Sequence, residues 1–218
     1  VLGLGSYIDF LIPYDFKLTF NVGYDLDDTY RTNKDNAYYG QSAAKGGYIS
    51  KRFTRYTTLN LQQLLNWNHA YGENHIDILL GHEFYKYSGE ALSADRSNFY
   101  HPGARELDGA IGTPSANSSR SNYRVEGYLG RAQYDWAEKY FVSLSFRRDG
   151  SSRFAADKRW GNFYSAGASW LISKESFMES TRNFLDLLKL KISYGEQGND
   201  AIGSNFAYTD NYTLKDKN

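Results

Sequence analysis

Residues 140–147 read Tyr140-Phe141-Val142-Ser143-Leu144-Ser145-Phe146-Arg147. Successive side chains of an extended strand point to opposite faces. Tyr140, Val142, Leu144 and Phe146 therefore share one face, and Phe141, Ser143, Ser145 and Arg147 share the other. This period of two runs outward in both directions. Tyr164, Ala166, Ala168, Trp170 and Ile172 repeat it, and in 187–195 Leu188, Leu190, Ile192 and Tyr194 oppose Lys189, Lys191, Ser193 and Gly195. Upstream, Phe16, Leu18, Phe20, Val22, Tyr24 and Leu26 oppose Lys17, Thr19, Asn21, Gly23 and Asp25. In 57–67, Thr57, Leu59, Leu61, Gln63, Leu65 and Trp67 oppose Thr58, Asn60, Gln62, Leu64 and Asn66.

The pattern predicts eight strands, over 2–10, 16–28, 52–68, 74–87, 122–136, 140–149, 161–172 and 187–195. Most reach the roughly 9–11 residues that a tilted strand needs to cross a bilayer. The links 11–15, 69–73 and 137–139 are short, whereas 29–51, 88–121 and 150–160 are longer and polar. Short turns on one side and long loops on the other are the asymmetry of an outer-membrane barrel. Segment 173–186 falls on the short side but is long. Ser176-Phe177-Met178-Glu179 has capping-box spacing, which predicts a short interfacial helix there.

Composition points the same way. Aromatic residues make up 17% of the 218, with 20 Tyr, yet Pro numbers only 3. Mean hydropathy is nevertheless −0.64. An apolar outside, a polar inside and aromatic girdles account for both values. Lys plus Arg and Asp plus Glu are each 25, so the net charge of zero gives no reason to expect nucleic acid as a partner. Cysteine is absent, which removes disulfides and thiolate metal sites. No apolar run of about 18 residues occurs, so a transmembrane helix is not expected. The chain opens at Val1 without a signal-peptide pattern, as expected of a mature, internal or trimmed segment. A soluble antiparallel sandwich also alternates. Its outward faces would be more charged, whereas here Trp67, Tyr134 and Trp136 stand near strand ends, where they suit headgroup depth.

A longer stretch carries a resemblance. Tyr128-Leu129-Gly130-Arg131-Ala132-Gln133-Tyr134-Asp135 leads into Lys139-Tyr140-Phe141. Arg148-Asp149-Gly150-Ser151-Ser152-Arg153-Phe154 and Arg159-Trp160-Gly161-Asn162-Phe163-Tyr164-Ser165 follow. Trp170-Leu171-Ile172-Ser173, Leu190-Lys191-Ile192-Ser193-Tyr194-Gly195 and Gly198-Asn199 complete the series. In this order the segment closely resembles the barrel of SusC/RagA-type TonB-dependent receptors of Bacteroidetes. Departures stand at Tyr164, where the family often has Pro, and at Glu196-Gln197-Gly198, where it often has Gln-Thr-Gly. The resemblance implies an all-β, antiparallel up-and-down transmembrane barrel, of which residues 1–218 form part of the wall. It further implies a Gram-negative outer-membrane location and import of glycans or peptides. The implied partners are a SusD-like surface lipoprotein, outer-membrane lipid and a TonB complex acting on a plug domain that these residues do not contain. No enzymatic role, cofactor or metal is expected.

Individual residues admit several readings. Tyr38, Tyr39, Tyr48, Phe99, Tyr100 and Trp160 are candidate ligand contacts by stacking, and packing between loops or against a lipoprotein lid explains them equally. Asp25, Asp27 and Asp28 form a possible oxygen cluster for Ca²⁺, against a plain solvated rim. Asp149-Gly150 and the serines after it suggest a strand-end turn, with Arg148, Asp149 and Arg153 pairing among themselves. Two other functional classes remain open at this point. A complete eight-stranded barrel would serve structure or adhesion. A barrel hydrolase would need His82 or His101 beside a carboxylate at the rim.

The alternation assigns Leu144 to lipid and Ser145 to the lumen. Leu144→Arg in the full-length protein is expected to cost about 2–4 kcal/mol at the bilayer midplane, and Ser145→Arg far less. The measurement is the heat-resistant folded fraction in outer membranes, and an equal or larger loss for Ser145→Arg reverses the assignment.

Overall fold

The computed structural model describes residues 1–181, 183–206 and 208–209. Eight strands form one antiparallel sheet in strict chain order: β1 (Leu2–Ile12), β2 (Phe16–Asp35), β3 (Tyr48–Tyr71), β4 (Asn74–Ser97), β5 (Ser115–Trp136), β6 (Tyr140–Ser151), β7 (Trp160–Leu171) and β8 (Lys189–Gly195). β1 and β8 stand at the two ends of that order, so the sheet is not closed. The predicted strands are all present. Four of them, β2 to β5, run well past their predicted loop-side ends. Alternation of apolar with polar residues fades towards and beyond those ends, and ion pairs gather there. Arg55 grips Asp28 through Nε at 2.7 Å and Nη2 at 2.5 Å, Arg120 meets Glu90 at 2.6 Å, and Lys51 pairs with Glu106. The long links shrink accordingly to 36–47 and 98–114.

Pairing registers fix the faces. Leu144 lies opposite Ala132 and Ala166, and Ala168 opposite Ile192. Tyr140, Val142, Leu144, Phe146, Tyr164, Leu190, Ile192 and Tyr194 are all exposed on this outward face. Leu188 ends just short of β8. On the opposite face Ser145 Oγ and Ser165 Oγ lie 2.6 Å apart. Aromatic side chains gather by the short turns, with Trp136 stacked on Tyr140 at 5.5 Å and Tyr140 on Trp170 at 6.1 Å.

Segment 173–186 holds the short helix expected, as a 3-10 helix over Ser176–Thr181. Its organiser is Glu175. This carboxylate accepts bonds from Tyr140 Oη at 2.6 Å, Trp170 Nε1 at 3.0 Å and Lys139 Nζ at 3.3 Å. The Tyr140 bond, followed by that of Trp170, holds the Glu175 carboxyl below the usual carboxylate range.

The chain packs as two units. The first comprises Val1–Leu4, Gly23–Leu59 and Lys86–Asn122. It holds the two fully buried apolar side chains of the described residues, Ile49 and Ala110. Its loops 36–47 and 98–114 are tied by Phe99 N–H to Gly46 O at 2.9 Å and Asn98 N–H to Gly47 O at 3.2 Å, and Ile111 N–H to Asn98 O at 2.8 Å closes the second loop on itself. The second unit comprises Gly5–Val22, Asn60–Tyr85 and Tyr123–Asn218, and carries β6 to β8 whole.

Gly47 sits at φ +92°, and a Cβ there would stand 2.4 Å from the Phe99 ring. Gly47→Val is therefore expected to unseat Phe99 and loosen the loop pair. Trypsin cleavage at Arg105 in the folded receptor should accelerate several-fold, and unchanged protection would contradict this packing.

Candidate functional site on the polar inner face

The face opposite Leu144 is where a solute or another protein segment would meet this sheet, and in the second unit it is crossed by a chain of polar contacts. Asn21 Nδ2 donates to Gln62 Oε1 at 3.2 Å, and Gln62 Nε2 donates to Glu83 Oε1 at 3.0 Å. Arg147 Nη2 reaches Glu83 Oε2 at 2.7 Å, while its Nε donates to both Asp149 oxygens at 2.8 Å. Glu83 is on β4 and Arg147 on β6, so the guanidinium must pass over β5. It does so at Gly127, where a Cβ would lie 2.5 Å from Asp149 Oδ1 and 3.2 Å from Arg147 Nη2. An Arg fork satisfies two carboxylates at once, which a lysine could not do with the same geometry.

A second set lies nearer the short turns. Asn66 and Asn68 each donate to Asp77 Oδ2 at 3.2 Å, and Arg131 approaches Asp77 Oδ1 at 3.5 Å. His75 bridges Asp135 at 3.0 Å and Asn68 Oδ1 at 2.9 Å. Asn68, His75, Asp77 and Asp135, with Phe141, Ser143 and Lys191, line a hollow of about 550 Å³.

At the loop end the Arg-Asp-Gly-Ser-Ser-Arg motif acts differently from expectation. β6 continues to Ser151. Asp149 pairs with Arg147, Arg148 points outward, and Arg153 pairs with Asp200 at 3.4 Å. Asp200 also accepts bonds from Tyr123 Oη and, at 2.8 Å, from Ser151 Oγ. Arg153 donates to Asn205 Oδ1 at 2.9 Å and covers the Tyr123 ring at 4.1 Å. The segment after β8 is thus fastened to β5 and β6. Gly198 lets it lie against Phe163, since a Cβ there would meet that ring at 2.3 Å. Burial pushes the Asp200 carboxyl up, but the bonds from Tyr123 and Ser151 and the Arg153 charge outweigh it and leave it below the usual aspartate range.

The six aromatic candidates do not meet as a group. Tyr38, Tyr39 and Tyr100 are strongly exposed in loops of the first unit. Tyr48 opens β3 and is half-buried. Phe99 covers Gly47 and receives Lys34 over its ring at 5.0 Å. Trp160 is in the second unit, on the outward face, opposite Gly150 and 6.0 Å from the Tyr128 ring. Asp25 accepts from Thr58 at 3.0 Å, Asp27 from Thr29 at 3.3 Å, and Asp28 holds Arg55. No group of three such ligands suited to a metal occurs among the described residues. His82 lies 3.3 Å from Glu126 on the outward face, and His101 Nδ1 accepts from Gly103 N–H. Side chains not singled out from sequence include Glu83, Arg147 and Asp200, whose partners are 64 and 49 residues away or comparably remote. Tyr56 and Tyr87, stacked at 5.9 Å beside Gly89 in the first unit, were likewise silent. Strand parity marks the facing of Glu83 and Arg147, whereas Asp200 lies beyond β8, where no parity applies.

TonB-dependent receptor P26 of Formosa agariphila is 30% identical over 206 residues, 91% of this chain and 21% of that protein. TonB-dependent receptor SusC of Bacteroides thetaiotaomicron is 32% identical over 149 residues, 67% of this chain and 14% of SusC. The RagAB peptide importer in its closed-closed state superposes with a TM-score of 0.86 at 24% identity, over 97% of this chain and 24% of that one. The chain is a barrel segment of the SusC/RagA type of TonB-dependent receptor. No protein-family profile matches it. As a SusC/RagA-type segment it spans about a fifth of the length of the curated relatives it matches, and the chain-order sheet agrees with the RagA barrel.

Two tests follow from this face of the SusC/RagA-type segment. Gly127→Val is expected to cost about 1–3 kcal/mol by overpacking, more than the gain of up to about 1 kcal/mol in strand propensity. Gly130→Val should be tolerated, because a Cβ there meets only Leu80 at 3.5 Å. Midpoints of the heat-modifiable gel shift compare them, and equal midpoints would discount the Arg147 bridge. For Asp200 the folded pKa is depressed, so its contribution is present above the ordinary value of about 3.9. It is lost as pH falls through the folded value. Pepsin should therefore reach 196–206 only in acid stronger than ordinary aspartate titration, and in Asp200→Asn already at milder pH. Identical pH profiles for the two proteins would dismiss the latch.

Proposed function

We propose that this chain is part of the wall of an outer-membrane importer for glycans or peptides too large for passive diffusion. Cargo enters under a SusD-like surface lipoprotein. Release into the periplasm is driven by an inner-membrane TonB complex pulling on a plug domain carried elsewhere in the complete receptor. The observation that carries this reading is the two-faced sheet, apolar outside and ion-paired inside, joined to the likeness to SusC and to RagAB. An apolar face of this kind suits hydrocarbon, where an unpaired backbone group costs several kcal/mol. Neighbouring strands of a larger barrel would then cover the open edges of β1 and β8. The relatives are receptors and importers by name, which favours transport over hydrolysis.

The exposed Tyr38, Tyr39 and Tyr100 belong, on this reading, to the surface that meets cargo or lid. Trp160, on the outward face, belongs to the membrane border. The test uses the host strain and its complete receptor. Deleting the gene should abolish growth on one class of glycan or peptide as sole carbon source. Collapsing the proton-motive force should stop uptake of the same compound within minutes. Uptake that persists without that force would make the barrel a passive pore.

A further inference from the structure

The outward face loses its apolar character along the register row Tyr128–Arg148–Asn162. Arg131, Arg147 and Arg153 of the same unit each hold a carboxylate. Arg148 is exposed and has no ion pair among the described residues. Its guanidinium lies over the Trp160 ring at 5.3 Å. The nearby acid on this face, Glu126, is already engaged by Tyr128 Oη at 2.8 Å and His82 Nε2 at 3.3 Å. Height matters too. From Tyr140 to Arg148 the strand rises about 26 Å, which at a tilt of about 40° gives roughly 20 Å across the membrane. The apolar band of such barrels is about 25 Å tall. Arg148 therefore emerges near its far border, where Tyr128 and Trp160 suit the headgroup layer.

Below this cation the same face holds a groove of about 510 Å³, walled by Leu80, Phe146, Tyr164 and Tyr194 and floored by Gly130 and Ala132. A Cβ on Gly130 would find ordinary van der Waals contact with Leu80 at 3.5 Å and nothing closer. Glycine weakens a strand interior, and no crowding within the protein calls for it here. Its absence of a side chain keeps the groove open.

We propose that this face seats one anionic membrane lipid, with its headgroup phosphate on Arg148 and an acyl chain in the groove beneath. An unpaired guanidinium above an apolar channel matches the charge and shape of such a lipid end to end. The proposal rests on the membrane reading given under Proposed function, and the experiment separates the two. The complete receptor, purified in detergent, is mixed with phosphatidylglycerol or with phosphatidylcholine of the same chains, and retained lipid is counted by native mass spectrometry. One phosphatidylglycerol should be retained, at least fivefold more than phosphatidylcholine. Arg148→Gln should lower that retention at least fivefold and Arg148→Lys should keep most of it. Gly130→Leu should lower retention of both lipids. Equal retention by wild type and Arg148→Gln overturns the proposal. So does a second receptor copy held on this face and released by Gly130→Leu. A heat-modifiable gel shift accompanies every sample. A folded, membrane-inserted barrel without Arg148-dependent lipid removes only the lipid seat, whereas a wild-type receptor that never inserts removes the membrane reading itself.

Discussion

The backbone hydrogen-bond ladder is what everything else in this molecule depends on. A peptide group facing hydrocarbon has no water to turn to, so a spanning strand must find both its partners in neighbouring strands. The simplest way is to pair with the strand before and the strand after, and β1 to β8 do so in unbroken chain order. Once the ladder is fixed, a one-residue slip would turn every outward side chain inward. The register is accordingly overdetermined. Leu144 among Ala132 and Ala166, and Ser145 opposite Ser165, satisfy the two faces simultaneously.

That constraint leaves the inner face with a problem of its own. It must be polar to suit a wet lumen, yet rigid enough to be a wall. The solution is cross-strand pairing of side chains, and its reach is set by where a side chain is missing. Arg147 contacts Glu83 two strands away because Gly127 removes the obstacle between them. Individual pairs of this exposure contribute only about 0.2–1 kcal/mol. Their value lies in linking four strands through one continuous set of partners.

Strand existence and facing were legible from period two alone, because burial on one face imposes that period locally. The sequence-stretch around Leu144, Ser145 and Leu190 predicted its own orientation. Strand length was less legible. In the extensions, ion pairs such as Arg120 with Glu90 join neighbouring strands, and these leave no alternation to read. The rim motif was misread for a related reason. Arg148, Asp149 and Arg153 are close in sequence, but strand parity sends Arg148 outward while Arg153 finds Asp200, 47 residues on. Local spacing could not reveal a partner supplied by a later loop. The short helix at Ser176 was legible, but its anchor was not, since Glu175 and its aromatic donors hold that turn from outside it.

The loop side shows how such a scaffold orders its loops in advance. Loops 36–47 and 98–114 are not left as free chain. Backbone bonds at Gly46, Gly47 and Phe99, and burial of Ile49 and Ala110, order them during folding. Ordering a segment at the moment of binding subtracts from affinity, so a loop pair ordered beforehand removes that cost. Phe99 and Tyr48 belong to this packed base, whereas Tyr38, Tyr39 and Tyr100 project from it fully exposed. Aromatic rings held on a pre-ordered base lose few rotamers when they meet a partner. The contrast is clearest at Phe99, whose seat is the bare backbone of Gly47. Where Gly47 lets a ring lie down on the backbone, the ring serves the fold, while Tyr38, Tyr39 and Tyr100 stay exposed.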